Sequence, residues 1–345
     1  MPLTIVDGMD AAGPWQAFAP DGVTPSTELS LRIVAAKPRP GGDPSSARIS
    51  ASAKAQNHVL RRALPGLDLT NFDELRLWLT SDRIADGTAT RPFFLELRLG
   101  SAAIGLGNPA NTWQRYLPIS QARTWEPVRL SIGDLAAGIR SAISAVQIRS
   151  VQAAPFDCNV DDIVAVREAM IGDVDAALLG LLDGILVVNG VKVPAVLHPA
   201  DATQARPYIG ILQYDTAFSR DRTDSASPRG DFTDNGYVLR PQSNGYELFY
   251  QVTAIANDRA AQTQILEFIL RTLTPRGQLM VNDLPLPMEA VFVTPIDQIG
   301  GHRTDQIPLF YKISTRQEVG SGTVVTAAKT TIVSTDFMAL QMTGS

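Results

Sequence analysis

The sequence predicts two domains, an N-terminal all-β jelly-roll sandwich and a C-terminal α+β domain in which helices pack against a small sheet. Short strand-like segments separated by loops rich in proline and glycine predict the first domain. Apolar residues at helical spacing, which appear after about residue 169, indicate the second. The predicted boundaries are 1–168 for the sandwich, 172–317 for the α+β domain and 318–345 for a C-terminal strand or arm.

The first 168 residues alternate between strand composition and chain breakers. In residues 75–79, Leu-Arg-Leu-Trp-Leu, apolar and other side chains alternate loosely, as they do in a half-buried strand. The loop at residues 37–44 holds three prolines and two glycines in eight residues. We therefore predict strands at residues 29–35, 74–80, 93–99, 128–132, 145–151 and 160–166.

The second domain begins with a predicted helix for which Asp173 is the proposed N-cap. The clearest strand of the chain covers residues 246–255, and its alternate positions from Tyr246 to Ala254 should face the core because their side chains are apolar or aromatic. A further helix should begin after Asp258, which can cap it, and should end before Pro275. This order of helices and strands is typical of an α+β domain.

Composition and charge exclude several classes of function. The net charge of −5 argues against a phosphate-binding surface over the whole molecule. The single cysteine, Cys158, excludes an internal disulfide framework and a multi-cysteine metal site. The first ten residues lack the basic start of a secretory signal, and the longest apolar stretch, residues 176–188, is too short and too interrupted to cross a bilayer. We therefore expect a protein that folds in a cytoplasm and does not enter a membrane.

Motifs that carry chemistry are weak or missing in the sequence. The three histidines, His58, His198 and His302, lie far apart and form no metal-binding pattern. There is no Gly-x-Ser-x-Gly elbow, and Gly105-Leu-Gly107 lacks the third glycine of a dinucleotide site. We therefore predict that the protein is not an enzyme and has no catalytic residues, cofactor or metal.

Asp161 and Asp162 are the one pair of carboxylates in the sequence for which we consider both a functional and a purely structural interpretation. They could form half of a calcium site or an acid/base pair. Adjacent residues of a strand point to opposite faces, however, so the two carboxylates could act together only if a bulge interrupted the strand. We expect opposite faces, with a single calcium on one of the two as the remaining alternative.

Aromatic residues of the first domain could form a platform for sugar rings, with Trp113 and Trp125 as the candidate residues. Aromatic side chains in a sandwich more often lie in the core, and that interpretation stays open beside the first. The loop at residues 220–229 carries three arginines and two aspartates. It is typical of a solvated loop and would contribute to an interface only in an oligomer.

Residues 208–279 resemble the tail-terminator or tube-cap proteins of contractile phage tails and phage-tail-like injection systems. In that family a helix precedes a strand ending in a Tyr-Asp pair, an arginine-containing loop, an Arg-Pro step, a long aromatic strand and a packed helix. The matching segments here are the helix from Asp173, the strand that ends at Tyr214-Asp215, Arg220 and Arg222, Arg240-Pro241, the strand at residues 246–254 and the helix at residues 260–273. The resemblance covers about a third of the chain, and its individual motifs are short.

This resemblance implies a homo-oligomeric ring of six copies that sits on the last rings of the tail tube and sheath. There it would stop polymerisation and, in a phage, join the tail to the neck while DNA passes transiently through the lumen. The resemblance makes Tyr214, Asp215, Arg220, Arg222 and Arg240 the interface candidates. It also places the protein in a virion tail or phage-like particle assembled in the host cytoplasm.

The N-terminal domain resembles the galactose-binding-like jelly rolls that serve as carbohydrate-binding modules. The residues that carry this resemblance are 124–132, Asp134-Leu135, 143–148 and 160–163. Such domains bind sugars or act as spacers, so the resemblance leaves a glycan partner open. The alternative to a ring subunit is therefore a carbohydrate-binding adhesin or baseplate decoration protein, and a polysaccharide-cleaving enzyme is a third hypothesis that lacks an acid/base pair.

Overall fold

A computed structural model describes residues 3–35, 39, 42, 44–100, 112–167, 169–197, 204–219, 230–233, 236–239, 243–291, 306–317 and 323–326. Several features predicted from the sequence lie outside these residues in whole or in part. Among them are His198 and His302, the glycines at 105 and 107, the arginine-rich loop at 220–229, Arg240, and most of the C-terminal segment at 318–345.

The described residues of the first part of the chain form eleven strands and one short helix. They are β1 (Leu3–Asp7), β2 (Trp15–Phe18), β3 (Leu29–Val34), β4 (Ser46–Ala51), β5 (Val59–Leu67), β6 (Glu74–Ser81), β7 (Leu95–Gly100), β8 (Thr112–Tyr116), β9 (Glu126–Ser131), α1 (Ala137–Arg140), β10 (Ile143–Ser150) and β11 (Phe156–Val166).

These strands form two antiparallel sheets that face each other. One sheet has the order β3-β4-β11-β6-β9, with β1 added to β11, and the other has the order β2-β5-β10-β7-β8. Alternate side chains from both sheets fill one apolar core, to which Ile49, Leu77 and Leu97 contribute. This is a jelly-roll-like sandwich, as the alternating strand segments predicted. We call it the sandwich.

The second part of the chain mixes helices and strands. Its elements are α2 (Met170–Leu182), β12 (Val187–Val188), β13 (Val191–Lys192), β14 (Ala195–Leu197), β15 (Tyr208–Phe218), β16 (Gly230–Thr233), β17 (Gly236–Leu239), β18 (Asn244–Ile255), α3 (Arg259–Thr272), β19 (Arg276–Val281), β20 (Leu284–Ala290), β21 (Gln306–Gln317) and β22 (Thr323–Thr326).

A six-stranded sheet with the order β14-β15-β18-β21-β20-β19 organises this part. We call it the mixed sheet because β14 pairs with β15 in parallel and the other neighbours are antiparallel. Helices α2 and α3 pack on one face, where they form a second apolar core with Leu248, Tyr250 and Val252. The predicted inner face of residues 246–254 is confirmed from Leu248 to Ala254, and Tyr246 at its start is half-buried. The α+β class is confirmed as well.

The starts of the two long helices test the capping predictions. Asp258 is the N-cap of α3, and its side chain accepts a hydrogen bond from the Ala261 backbone N–H, as predicted. The prediction for Asp173 is wrong, because α2 begins at Met170 with Ala169 as its N-cap. Asp173 lies buried in the first turn, where its Oδ2 accepts from the Ala169 backbone N–H at 2.8 Å.

The C-terminal residues add one strand to a small sheet within the chain. Strand β22 pairs with β17, which pairs with β16. Residues 323–326 lie in the segment predicted as a C-terminal strand or arm, and they pair with a strand of the same chain. The predicted boundaries at 168, 172 and 317 stay a prediction.

Candidate functional site

The mixed sheet presents aromatic side chains on the face opposite the helices. Tyr214 is 42% exposed there. Its ring centroid lies 6.1 Å from that of Phe249 and 5.9 Å, edge-on, from that of Phe310. We call Tyr214, Phe249 and Phe310 the outer aromatic cluster. In a folded chain, grouped aromatic rings that stay partly in contact with water are typical of an interaction surface.

A β-bulge in β15 places Asp215 on this face together with Tyr214. Gln213 pairs with Tyr250 and Asp215 pairs with Phe249, so Tyr214 is an extra residue in the ladder. The Gln213 amide holds the bulge by donating to the Asp215 carbonyl oxygen at 2.8 Å. Asp215 is exposed beside Tyr214, and its Oδ1 accepts from the Thr216 backbone N–H at 2.8 Å. Burial, with a contribution from the Asp215 carboxylate, raises the pKa of Tyr214, so its hydroxyl stays protonated.

A second surface of interest joins the mixed sheet to the sandwich. The turn between β19 and β20 consists of Asn282 and Asp283, both at positive φ. Arg76 Nη1 donates to the Asn282 carbonyl oxygen at 2.8 Å, and Trp78 Nε1 donates to the Asp283 carbonyl oxygen at 3.2 Å. The hairpin therefore docks on the outer face of β6 through its backbone, which explains why the polar side chains of this strand are buried.

Four charged side chains meet beside that hairpin. Arg39 Nη2 lies 2.7 Å from Asp283 Oδ1, and Arg39 Nε lies 3.2 Å from Asp161 Oδ2. Arg39 also forms an ion pair with Asp162. We call these four residues the junction cluster. It places three carboxylates around one guanidinium in a largely buried position.

The junction cluster corrects our expectation for Asp161 and Asp162. The β6–β11 pairing shifts register between Asp161 and Val164, and Asp162 has a φ of 42°. This bulge turns both carboxylates toward Arg39, so they do not lie on opposite faces. Among the described residues, no group of three or more metal-ligating side chains has the geometry to hold a metal ion.

Burial changes the proton affinity of Asp161 and Asp283. Burial raises the pKa of Asp161 to about 7, the Asp162 carboxylate adds to this rise, and Arg39 opposes it. Burial likewise raises the pKa of Asp283 to about 6 against the opposing charge of Arg39. One guanidinium does not compensate three carboxylates in this largely buried position, so the cluster favours an added proton near neutral pH.

The neighbouring Glu74 shows the opposite balance. Burial acts to raise its pKa, but Arg129 and Arg76 together lower the pKa of Glu74 to about 2. Arg129 Nε and Arg76 Nε donate to Glu74 Oε1 at 2.9 and 2.6 Å. Two guanidiniums on one carboxylate hold Glu74 ionised at the edge of the same contact.

A second contact between the two parts lies at β16. Asp231 Oδ2 accepts from the Ser131 backbone N–H at 2.7 Å, and Arg115 Nε lies 3.6 Å from the same oxygen. The Phe232 ring centroid is 5.2 Å from that of Phe93. Among the described residues, the sandwich therefore meets the second part of the chain both at the β19–β20 hairpin and at β16.

The predicted site residues fall in different places. Tyr214 and Asp215 lie together at the bulge on the outer face, whereas Arg220, Arg222 and Arg240 lie outside the described residues. The two candidates for a sugar platform, Trp113 and Trp125, differ in how far they are buried. Trp113 is 5% exposed, its Nε1 donates to Asp134 Oδ1 at 3.2 Å, and the Arg115 guanidinium lies 4.8 Å from its ring centroid. Trp125 is half-buried.

Sequence reasoning missed the junction cluster. The consecutive Asn282 and Asp283 between two strand-like segments are a turn signal that could have predicted the hairpin. Arg39 lies in the proline-rich loop, where the only local signal is chain breaking. Its pairing with residues more than a hundred positions away has no local signature.

Comparisons with known proteins return only distant similarities. No protein-family model matches the chain, and no curated protein matches it significantly. The family 11 carbohydrate-binding module of the cellulosomal cellulase Lic26A-Cel5E of Clostridium thermocellum is 11% identical, with a TM-score of 0.35, over 48% of this chain and 95% of that one. The PVC sheath/tube terminator of an extracellular contractile injection system, in its extended state, is 17% identical, with a TM-score of 0.37, over 52% of this chain and 74% of that one.

A third similar structure is the enzymatically active domain of tailspike protein 4 of bacteriophage CBA120. It is 10% identical, with a TM-score of 0.33, over 46% of this chain and 20% of that one. At these TM-scores none of the three similarities carries a functional argument by itself. No helix in the described part of the chain is long and apolar enough to span a membrane.

Proposed function

We propose that this chain is a structural subunit of a phage or phage-like tail. In this role it forms a terminator or cap ring of six copies that ends the polymerisation of tube and sheath and links the tail to the neck. The observation that carries the proposal is the outer aromatic cluster, a partly exposed aromatic surface on one face of a sheet whose other face is packed by two helices.

The arrangement of the terminator-like motifs supports this proposal. Tyr214 and Asp215 lie on β15, which pairs along its length with β18, the long aromatic strand. Helix α3 follows that strand and packs on the opposite face. Segments that resemble one family in their order along the chain thus form one contiguous unit, and the Tyr-Asp pair lies on its exposed surface.

The partners that follow from this role are tube, sheath and neck proteins, together with further copies of the chain. In a phage, DNA would pass transiently through the ring, and a net charge of −5 would limit its adhesion. The ring would be assembled in the host cytoplasm and remain in the tail particle. The role is structural and requires no cofactor.

Labelled particles test the proposal. The full-length chain would carry an epitope tag at its amino terminus in the strain that produces the particles, and the untagged strain would serve as the control. Immunogold electron microscopy should place the label at one end of each tail, opposite the baseplate. Label along the whole tail, at the baseplate or on no particle would overturn the proposal.

The second candidate function is a carbohydrate-binding adhesin or baseplate decoration protein. The jelly-roll-like sandwich and the half-buried Trp125 favour it. The test is binding of the full chain to immobilised glycans, compared with Trp125→Ala. Loss of binding in the variant, with an unchanged melting temperature, supports this candidate. A lack of glycan binding by the wild-type chain, or turnover of cell-wall or capsule polysaccharide, contradicts it.

A further inference from the structure

Exposed apolar side chains are unevenly distributed between the two parts of the chain. Among the described residues, ten of the twelve exposed large apolar side chains lie between residues 171 and 270. The sandwich has only Ile5 and Val23 of this group. Scattered single residues of this kind are normal on a monomer, but a concentration marks a contact surface. The association surfaces of the chain should therefore lie on the mixed sheet and its helices.

One of these surfaces is a hairpin at the end of α2. Its exposed residues are Leu181, Ile185, Val187 and Val191, and we call them the apolar hairpin surface. The turn at Asn189-Gly190, with φ values of 51° and 77°, closes the two-residue hairpin of β12 and β13. Val188 anchors the hairpin in the second core while Val187 and Val191 face water.

Backbone hydrogen bonds hold this hairpin in a defined position. The Gly184 N–H donates to the Val193 carbonyl oxygen at 3.0 Å, and the Val193 N–H donates to the Leu186 carbonyl oxygen at 2.9 Å. Asp183 Oδ1 accepts from the Ala195 N–H at 2.9 Å, which ties the end of α2 to β14. The apolar hairpin surface is thus a pre-organised projection beside the edge strand of the mixed sheet.

The outer aromatic cluster is a second surface of different chemistry. It lies across β15, β18 and β21 on the face opposite the helices, whereas the apolar hairpin surface lies at the end of α2 and on β12 and β13. A small aliphatic projection and a broader aromatic face on the same unit are suited to contact each other in neighbouring copies. Because the two surfaces are distinct, a pair of copies still has one free hairpin surface and one free aromatic cluster. Each can bind a further copy, so association continues head to tail.

The charges beside the two surfaces are complementary. Lys192 is exposed on β13 of the hairpin, and Asp215 is exposed beside Tyr214 in the aromatic cluster. Opposite charges at the rim of an apolar contact set its register and disfavour other arrangements. They also distinguish this contact from one in which two hairpins meet, because two lysines would then face each other.

We propose that the apolar hairpin surface of one copy binds the outer aromatic cluster of the next copy, with Lys192 facing Asp215. This inference deepens the proposed ring function, on which it rests, by naming the partner as a second copy of this chain and the residues that join the copies. It requires no segment outside the described residues.

Charge reversal tests the contact on the full-length chain. In sedimentation velocity experiments the wild type should associate beyond a dimer as its concentration rises. Lys192→Asp alone and Asp215→Lys alone should each weaken association about tenfold or more, since each places like charges in contact. An equimolar mixture of the two variants should recover association, because every contact between unlike copies then pairs Asp with Lys.

Matched controls separate this contact from general effects of charge. Lys54→Asp changes an exposed lysine of the sandwich and should leave association within about twofold of the wild type. The melting temperature of each variant verifies folding, which should be unaffected because Lys192 and Asp215 are exposed.

The other outcomes overturn the inference. A wild type that stays monomeric, a strict dimer, single variants that associate normally, or a mixture that does not recover would each contradict it. Failure of the proposed function is a different result: charge-dependent association would persist, but immunogold label would not lie at the tail end. Conversely, correctly placed label with charge-insensitive association would leave the function standing and place the contact between copies elsewhere.

Discussion

Arg39 and Asp283 form a buried ion pair that joins the sandwich to the mixed sheet, with Arg39 Nη2 2.7 Å from Asp283 Oδ1. Arg39 belongs to a loop of the sandwich, and Asp283 belongs to the hairpin between β19 and β20. The same guanidinium also faces Asp161 and Asp162. A single positive charge therefore holds together carboxylates from both parts of the chain, which makes the contact sensitive to mutation and to pH.

Replacement of Arg39 by Gln should destabilise the chain strongly. The variant leaves three carboxylates without their cation, and removing one partner of a buried ion pair costs about 3–5 kcal/mol. The loss should be larger at about pH 8 than at about pH 5, because protonation relieves the repulsion at lower pH. Urea unfolding at the two pH values measures this loss in the free energy of unfolding.

Arg91→Gln, in which the replaced side chain is 52% exposed and pairs with Asp86, is the control and should cost less than about 1 kcal/mol. Equal losses in the two variants would contradict the role of the junction cluster.

Replacement of Asp161 by Asn should remove part of the pH dependence of stability. The pKa of Asp161 in the folded chain is about 7, above the value in the unfolded chain. Its proton therefore stabilises the fold at low pH, and this contribution is lost as pH rises through about 7. Between about pH 5 and pH 8 the wild type should lose about 2 kcal/mol that the variant does not lose. The free energy of unfolding from urea titrations tests this, and parallel pH profiles for the two proteins would refute it.

Replacement of Glu74 by Gln should cost much more than loss of a surface ion pair. Glu74 neutralises two guanidiniums in a buried position, so the variant should lose about 3 kcal/mol at neutral pH. The matched change is Asp157→Asn, in which a 45% exposed side chain pairs with Arg48, and its cost should be below about 1 kcal/mol. The pKa of Glu74 is lowered to about 2, so its contribution is present above the unfolded pKa and is lost as pH falls toward about 2. Unfolding free energies that are equal for both variants would be inconsistent with this account.

Replacement of Asp258 by Ala should weaken the start of α3. The Asp258 Oδ1 accepts from the Ala261 N–H at 2.8 Å, and loss of such a cap costs about 1 kcal/mol. Asn257→Ala changes the adjacent exposed residue, which precedes the cap, and should have an effect within about 0.5 kcal/mol. Thermal and urea unfolding compare the two. A larger effect at residue 257 than at residue 258 would contradict the assigned cap.

Local sequence signals predicted the elements whose causes are local. The alternation in residues 246–255 predicted β18 and its inner face, since period two is a property of one strand. The cap at Asp258 and the stop before Pro275 predicted α3 for the same reason. The β-sandwich class of the first part and the α+β class of the second part followed from the order of such elements along the chain.

The parts that could not be predicted depend on distant residues. The bulge at Asp161 and Asp162 forms where β11 pairs with β6, and Arg39 and Asp283 complete the junction cluster from opposite parts of the chain. Asp173 is a residue type that often serves as an N-cap, but here it lies in the first turn and accepts from the backbone N–H of the true N-cap, Ala169. The predicted start of α2 was therefore wrong by about one turn of helix. The burial of Trp113 beside the Arg115 guanidinium depends on how the elements of the sandwich pack together. The spacing of residues in the sequence does not predict this packing.

Tail length in particles that lack this chain tests the proposed role most directly. The gene would be deleted in the strain that makes the particles, restored from a plasmid as the control, and tube lengths measured by electron microscopy. A terminator ring predicts tubes and sheaths of heterogeneous and greater length without the chain, and uniform length on restoration. Tails of unchanged, uniform length in the deletion strain would contradict the account.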